Sequence, residues 1–531
     1  MRIMRHLFQR FFPQRWGSVV VFYVFLLFFV VGIALHRDYG VSADEAAVRK
    51  FGSDAFNYLF GTGTIPTELD WSFFNPAIPM VLHGVERLLG LTDGADIWFV
   101  RHLITFGMFF VTVVTFYHTA RLRFHDWKLP LLGSVMFMAS PRLFAHGFYN
   151  PKDIPAMMLF SLSALTLLLF LEKRTMMRFG AHILVTALLI SMRVFGLMMP
   201  ILAMAFLWTC MQPWKISMKW TAVYFLTLAL ALILVWPLLW NHPIQGIINA
   251  FLNTASRSGG GFYFGESFSS VGVPWHFLPV WIGITTPVMY SIFFLIGFLT
   301  LISRRPSRLG RAETDSPAPG RRDEAGWIRV QLFALLWFSL PVIALTILPI
   351  GIFDGWRHML FLYPAFLLIA LEGVVWIGIV TKKNWIAPAL IGLQIVSTGT
   401  WMLRNHPFEY AYFSIPSQFI DGQFDLDYWG LSYRAGLEWI VKNDARDHIN
   451  VFTAARVGKT AADTLPIADW SRLYFTTPNK ADYILDNFRA HDYQHVFPED
   501  RKAHAVTVDG LEILAVYKGP DTKGIFEPVI W

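Results

Sequence analysis

Seven stretches of the chain carry no Asp, Glu, Lys or Arg over about 18 residues or more, long enough to cross the hydrocarbon core of a bilayer as a helix. They are 17–35, 103–120, 154–171, 220–240, 277–302, 330–350 and 385–403. Two further stretches qualify with one interruption each: 359–380 by Glu372, and 129–148 by the Pro141-Arg142 pair near its end. The stretch 181–211 has Arg193 and Gly196 in its middle and reads either as one very tilted helix or as two short ones. Charge decides between them. With two crossings there, five basic clusters fall on the side of the N-terminus, as the positive-inside rule requires. These are Arg2, Arg5, Arg10 and Arg15; Arg121, Arg123 and Lys128; Lys173, Arg174 and Arg178; Lys215 and Lys219; and Lys382 and Lys383. The sequence therefore predicts a polytopic α-helical membrane protein of eleven transmembrane helices, with a cytoplasmic N-terminus and the C-terminus outside.

Composition excludes other classes. The chain is 55% apolar and 15% charged, where soluble domains have about 25% charged residues, so a water-soluble enzyme is ruled out. The formal net charge of +7 is carried by residues between apolar segments, where anionic lipid headgroups account for it and nucleic acid is not an expected partner. A single cysteine, Cys210, leaves no internal disulfide framework and no thiolate metal site. The first apolar run exceeds the ~7–15 residues of a signal peptide, so it is expected to stay as a span, although Val41-Ser42-Ala43 resembles a cleavage site.

On this topology the outer face holds a first loop at 36–96, a second at 241–275, short turns near Asn150 and Asp354, and everything after residue 403. Ala47, Val48, Phe51, Ala55, Phe56 and Leu59 recur at helical spacing beside Arg49, Lys50 and Asp54, the pattern of an amphipathic helix lying in the interface. The linker at 303–326 mixes Arg with Pro, Ser and Gly and reads as a cytoplasmic, disordered connector. Residues 404–531 have the composition of a soluble domain. A helix from Tyr433, strands near His448 to Thr453 and Tyr483 to Leu485, and a hairpin turning at Asp509-Gly510 predict a small α/β domain outside the membrane.

Transporters place ionisable residues near the bilayer midplane, along the substrate path. Here most of them crowd the outer surface: Asp38, Asp44 and Glu45 after the first span; Lys152 and Asp153 in Asn150-Pro151-Lys152-Asp153-Ile154-Pro155; Glu266 and His276 in the second loop; and Asp354, Arg357 and His358 in one turn. Arg193 joins them if 181–211 breaks in its middle. Carboxylates and cations gathered at a membrane surface suit a lipid-phosphate substrate. Glycosyl transfer needs a carboxylate to take the acceptor proton and cations to stabilise the departing phosphate. Each element also has a plain reading. Asp44 and Glu45 fit first-turn helix acids, Asp153 fits a helix cap, Arg357-His358 fits a headgroup anchor, and Glu372 fits a hydrogen bond between helices.

These motifs resemble the GT-C superfamily of polytopic glycosyltransferases, in the branch with protein O-mannosyltransferases and the bacterial lipid A aminoarabinose transferase. Asp44-Glu45 stands where family members place their catalytic aspartate. Ser140-Pro141-Arg142 with Asn150-Pro151-Lys152-Asp153 resembles the second acidic motif. Gly355-Trp356-Arg357-His358 with Tyr363-Pro364 resembles the late segment near the lipid phosphate. Pro274-Trp275-His276-Phe277, His406-Pro407-Phe408-Glu409-Tyr410 and Asp427-Tyr428-Trp429-Gly430 look like bacterial members of the same branch.

The resemblance implies the GT-C fold and an inverting transfer from a polyprenyl-phosphate sugar to an acceptor protein, lipid or glycan on the outer face. Asp44 would be the general base, Glu45 would orient acceptor or base, and Asp153 would be a second cavity acid. Lys152, Arg357 and His358 would hold the carrier phosphate, with Arg193, Glu266 and His276 also lining the substrate site. It leaves Mg or Mn open as a cofactor, with Asp44, Glu45 and Asp153 the ligands of any such ion. One departure stands out: Phe74-Asn75-Pro76-Ala77-Ile78-Pro79 lacks the basic residue that the aminoarabinose transferases carry in the first loop. A transporter or flippase of a lipid-linked saccharide is the alternative.

Overall fold

The computed structural model of the chain describes residues 2–61, 76–92, 94–210, 214–240, 243–255, 260–269, 273–303, 324–347, 351–489 and 496–519. Most of the 303–326 linker lies outside them, as do Phe74 and Asn75 of the departing first-loop motif. Among the described residues seven helices are long and apolar enough to cross a membrane by length and composition, and four shorter apolar helices accompany them. Each falls within or overlaps one of the eleven crossings read from the sequence, although 129–148 and 277–302 are each broken into two helices.

Helix α1 (Arg2–Leu35) leads into the first outer loop, where α2 (Glu45–Leu59) and α3 (Ala77–Leu88) pair before α4 (Gly94–Arg123) returns. The apolar stripe of α2 is turned inward: Val48, Phe51 and Ala55 are buried, while Phe60, Val81, Leu88 and Leu89 stay exposed. The stretch 129–148 forms two helices, α5 (Lys128–Met138) and α6 (Pro141–Tyr149). Pro141 has no N–H to continue the ladder, and extended Ser140 precedes it.

Helix α7 (Asp153–Glu172) is followed by α8 (Met176–Met192) and α9 (Met198–Cys210). Arg193 separates the last two in an extended conformation, φ −147° and ψ 127°, so the two-helix reading of 181–211 is the one realised. Then come α10 (Trp214–Val235), α11 (Pro243–Ala255) and a hairpin of β1 (Gly260–Tyr263) and β2 (Glu266–Ser269). The uninterrupted stretch 277–302 is not one helix but α12 (Phe277–Thr285) and α13 (Val288–Ser303). Pro287 denies a backbone donor and forces Thr286 extended. Helices α14 (Glu324–Ile347), α15 (Tyr363–Thr381) and α16 (Ile386–Asn405) complete the membrane part.

Helices α7 and α15 form its centre, and α1, α10 and α16 its rim. Glycine sets the approach of α13 to α15: a Cβ on Gly297 would fall 1.9 Å from the Ile369 carbonyl oxygen, and one on Gly373 2.1 Å from that of Phe293. Close backbone contact of this kind drives helix association in lipid. Beside it, Glu372 accepts from Arg123 Nε at 2.6 Å and Nη2 at 3.1 Å. The carboxylate inside a span is thus paired across helices, and Arg123 is more than a headgroup anchor.

The C-terminal domain, the outer domain of the topology expected from the sequence, contains α17 (Tyr433–Asn443), β3 (Ile449–Thr453), α18 (Val457–Ala461), α19 (Ile467–Trp470), β4 (Leu473–Phe475), β5 (Tyr483–Asp486), β6 (Lys502–Val508) and β7 (Leu511–Lys518). Its sheet runs β4-β3-β5-β7-β6, parallel on the β4-β3-β5 side and antiparallel through β7 and β6. The hairpin turns at Asp509 and Gly510, both at positive φ, as a two-residue turn of this twist demands. Helix α17 covers one face, with Gly436 against Leu485 and Leu514.

Candidate active site

Residues 36–44 cross one end of the bundle from α1 to α2. They are pinned on two sides: Ser42 Oγ donates to the Tyr149 carbonyl at 2.8 Å, and the Ala43 N–H donates to that of Trp429 at 3.0 Å. This delivers Asp44 to the N-terminus of α2, where its side chain makes no capping bond. Its Oδ1 instead accepts from Lys152 Nζ at 3.1 Å and its Oδ2 from Arg357 Nη1 at 2.7 Å. Glu45 holds the chain locally, its carboxylate accepting the Ser42 N–H at 2.7 Å. The dipeptide therefore divides between the two readings the sequence left open.

Lys152 precedes α7 in a turn organised by Asn150, whose Oδ1 accepts the Asp153 N–H at 2.9 Å. Asn150 is the cap, so the Asp153 carboxylate is available to others: it accepts from Asn150 Nδ2 at 3.0 Å and pairs with Arg193 at the α8–α9 break. Arg357 follows a tight turn in which Asp354 and Gly355 both take positive φ, 42° and 62°. The guanidinium lies 3.2 Å from Asp354, and its carbon is 4.6 Å from the centre of the Trp429 ring. Asp354 in turn accepts from Arg489 of the outer domain at 2.6 Å. Arg193, Arg357, His358 and Asp153 form the polar side of a narrow cleft whose other wall is Phe160, Phe195 and Phe361, a shape with a charged mouth and an apolar flank.

Burial would push the Asp44 carboxyl up, but Lys152 and Arg357 outweigh it and hold the group well below the usual carboxylate range. Burial pushes the Lys152 ammonium down, and Asp44 opposes that. Asp44 is thus a carboxylate at any physiological pH, and the cations that keep it ionised are the ones suited to a phosphate.

Of the residues predicted from sequence, Asp44, Lys152, Asp153, Arg193, Arg357 and His358 are brought together. Glu266 and His276 are not. Glu266 is solvent-exposed beside the β1–β2 turn, and His276 is hydrogen-bonded to Tyr263 Oη at 2.7 Å and stacked on its ring. Neither bonds to the cluster among the described residues. Sequence reasoning assigned no role to Trp429, Arg489 or Asn150. Trp429 lay in a motif singled out without a function, whereas Arg489 is an isolated basic residue of a soluble domain and gave no signal.

The donor set does not suit Mg or Mn. Asp44 is engaged by Lys152 and Arg357, Asp153 by Arg193, and Glu45 faces His102 at 3.0 Å. Among the described residues no three His, Cys, Asp or Glu side chains converge where they could hold a metal ion.

No protein-family model matches the chain, and no curated protein matches it in sequence. Among solved structures it is similar to ArnT from Cupriavidus metallidurans bound to undecaprenyl phosphate, at 12% identity over 94% of this chain and 97% of that one, TM-score 0.49. It is also similar to the oligosaccharyltransferase AglB from Archaeoglobus fulgidus in complex with an inhibitory peptide and a dolichol-phosphate, at 11% identity over 90% and 70%, TM-score 0.46. A third is the arabinofuranosyltransferase AftD from Mycobacteria, at 11% identity over 96% of this chain and 40% of that one, TM-score 0.43.

Proposed function

We propose that the chain is an inverting membrane glycosyltransferase of the GT-C kind. It moves a sugar from a polyprenyl-phosphate donor to an acceptor on the outer face, and Asp44 is its general base. The observation that carries this reading is the convergence of Lys152 Nζ and Arg357 Nη1 on the two oxygens of one partly exposed carboxylate, at 3.1 and 2.7 Å.

The chemistry balances around that pair. Asp44 takes the acceptor's hydroxyl proton as the acceptor oxygen bonds to the anomeric carbon. The bond from that carbon to the phosphate oxygen breaks, and its electron pair stays on the phosphate. The donor, a phosphodiester, carries one negative charge, and the departing monoester carries a second. Asp44 loses its charge as the phosphate gains one, so Lys152 and Arg357 change partners without a change in the total charge they face. Cations prearranged where charge develops are the largest single source of such stabilisation. Arg193 extends the positive rim of the cleft, Asp153 keeps Arg193 in place, and His358 lines the cleft beside them.

A flippase would bind the same headgroup and need no base. Mass spectrometry of envelope glycans and polyprenyl-phosphate sugars, in cells making the wild type or Asp44→Asn at equal level, separates the two. The transferase reading predicts loss of one glycosyl increment with accumulation of its lipid-linked donor. A wild-type glycan profile from Asp44→Asn, where deletion of the whole protein alters it, contradicts the reading.

A further inference from the structure

Helix α4 carries a histidine that the proposed reaction does not use. His102 is fully buried, so no substrate touches it, yet it bridges the two ends of the segment that bears Asp44. Its Nδ1 lies 3.2 Å from the carbonyl oxygen of His36, directly after α1, and its Nε2 makes an ion-pair contact of 3.0 Å with Glu45 Oε1, directly after Asp44, that is not aligned as a hydrogen bond. The other oxygen of Glu45 holds the Ser42 N–H, and Ser42 is itself tied to Tyr149. Glu45 is 1% exposed. Arg101 and Glu86, the charged pair next to His102 on the α3–α4 side, are bonded to each other, and Glu86 also accepts from Arg49 at 3.2 Å. They close the site around the imidazole without taking either of its partners.

We propose that His102 is a positioning residue for Asp44, acting through Glu45. This rests on the reading of Asp44 as the base. The backbone of Asp44 is held on one side by the Ala43 bond to Trp429 and on the other by the Glu45 side chain. Its carboxylate is therefore aimed at Lys152 and Arg357 by contacts made to its neighbours. Freeing Glu45 loosens the first turn of α2 while the cations that hold a phosphate stay where they are. The loss then falls on the chemical step and not on donor binding, because misplacement of a reacting group by about 1 Å costs on the order of 100-fold in rate.

Two substitutions separate the contacts, since a glutamine amide nitrogen reproduces the Nε2 position of histidine and an asparagine amide nitrogen the Nδ1 position. In nanodiscs with lipid-linked donor and acceptor, His102→Gln keeps the donor facing Glu45 and is expected to hold kcat within about threefold of wild type. His102→Asn keeps only the His36 contact and is expected to lose about 100-fold in kcat, with donor KM and unfolding temperature near wild type. Equal kcat in the two variants, or a loss of His102→Asn activity that appears in KM or tracks its unfolding temperature, overturns the proposal. Asp44→Asn assayed beside them identifies which idea has failed. If it is active, the base assignment is wrong; if it is inactive while His102→Asn is active, only the positioning role is wrong.

Discussion

Arg357 of the membrane part lies against the indole face of Trp429, which belongs to the segment leading into the outer domain, at 4.6 Å from guanidinium carbon to ring centre. Arg489, further along the outer domain, reaches the same turn through Asp354. The outer domain thus forms one wall of the candidate site, and its Trp and Arg set the direction of a cation that also holds Asp44.

Removing that wall weakens the hold on a phosphate. A cation–π contact on a partly desolvated arginine is worth about 1–2 kcal/mol. Trp429→Leu is therefore expected to weaken polyprenyl phosphate binding by about tenfold, and Trp429→Phe by less. Equilibrium binding in nanodiscs checks this, and an unchanged Kd for Trp429→Leu counts against it.

On the proposed reading of Asp44 as the base, Lys152 sets its protonation in the donor-free enzyme. Two cations hold Asp44 below its ordinary range. Removing one lets its pKa rise towards the usual value of about 4, so the base is protonated at a higher pH. Lys152→Gln should move the acid limb of the kcat/KM profile upward in pH, whatever it does to the height of the plateau. An acid limb that stays fixed or moves down would show that Lys152 does not govern Asp44.

The outer end of α16 offers a test of pH dependence. His406 is 2.6 Å from Glu409 and 3.0 Å from Asp38, and Tyr39 Oη donates to the same Glu409 at 3.0 Å. Burial opposes the imidazolium, but the two carboxylates outweigh it and raise the His406 pKa. A raised pKa contributes stability that is complete below the unfolded value of about 6.5 and is lost as pH rises through the folded one. The difference in unfolding temperature between wild type and His406→Gln should be largest near pH 6 and shrink towards alkaline pH. A difference that grows with pH contradicts the assignment.

Glu372 tests the membrane core apart from the site. Deleting one partner of a buried ion pair costs about 3–5 kcal/mol, because the other charge is left without compensation. Glu372→Ala should lower the unfolding temperature more than the double variant Arg123→Met with Glu372→Leu. The reverse order in a thermal unfolding assay would show that the pair is not the unit that matters.

How far the sequence reaches can be judged from particular residues. Arg193 was legible because a charge and a nearby glycine in an overlong apolar stretch must break it and surface. The joint sidedness of Asp44, Lys152, Asp153 and Arg357 was legible because lipid restricts where charges can lie. The different surroundings of Asp44 and Glu45 were not, since adjacent residues share every local signal and only His102, Lys152 and Arg357, distant in sequence, tell them apart. Glu266 and His276 were drawn in by sidedness alone, which fixes a face of the membrane but not a distance. The break at Thr286-Pro287 was hidden by the missing charge in 277–302, although the proline marked it. Strand β4 is too short to show alternation, and the roles of Trp429 and Arg489 exist only once the outer domain has docked.

The sharing of Lys152 and Arg357 between a carboxylate and a phosphate is tested most directly by the affinity of Asp44→Asn for polyprenyl phosphate in nanodiscs, measured beside its transfer activity. The amide cannot hold either cation by charge. The account predicts abolished transfer together with tighter binding than wild type, about tenfold if the released cations add roughly 1.4 kcal/mol. Weaker or unchanged binding, or transfer that survives the substitution, would contradict it.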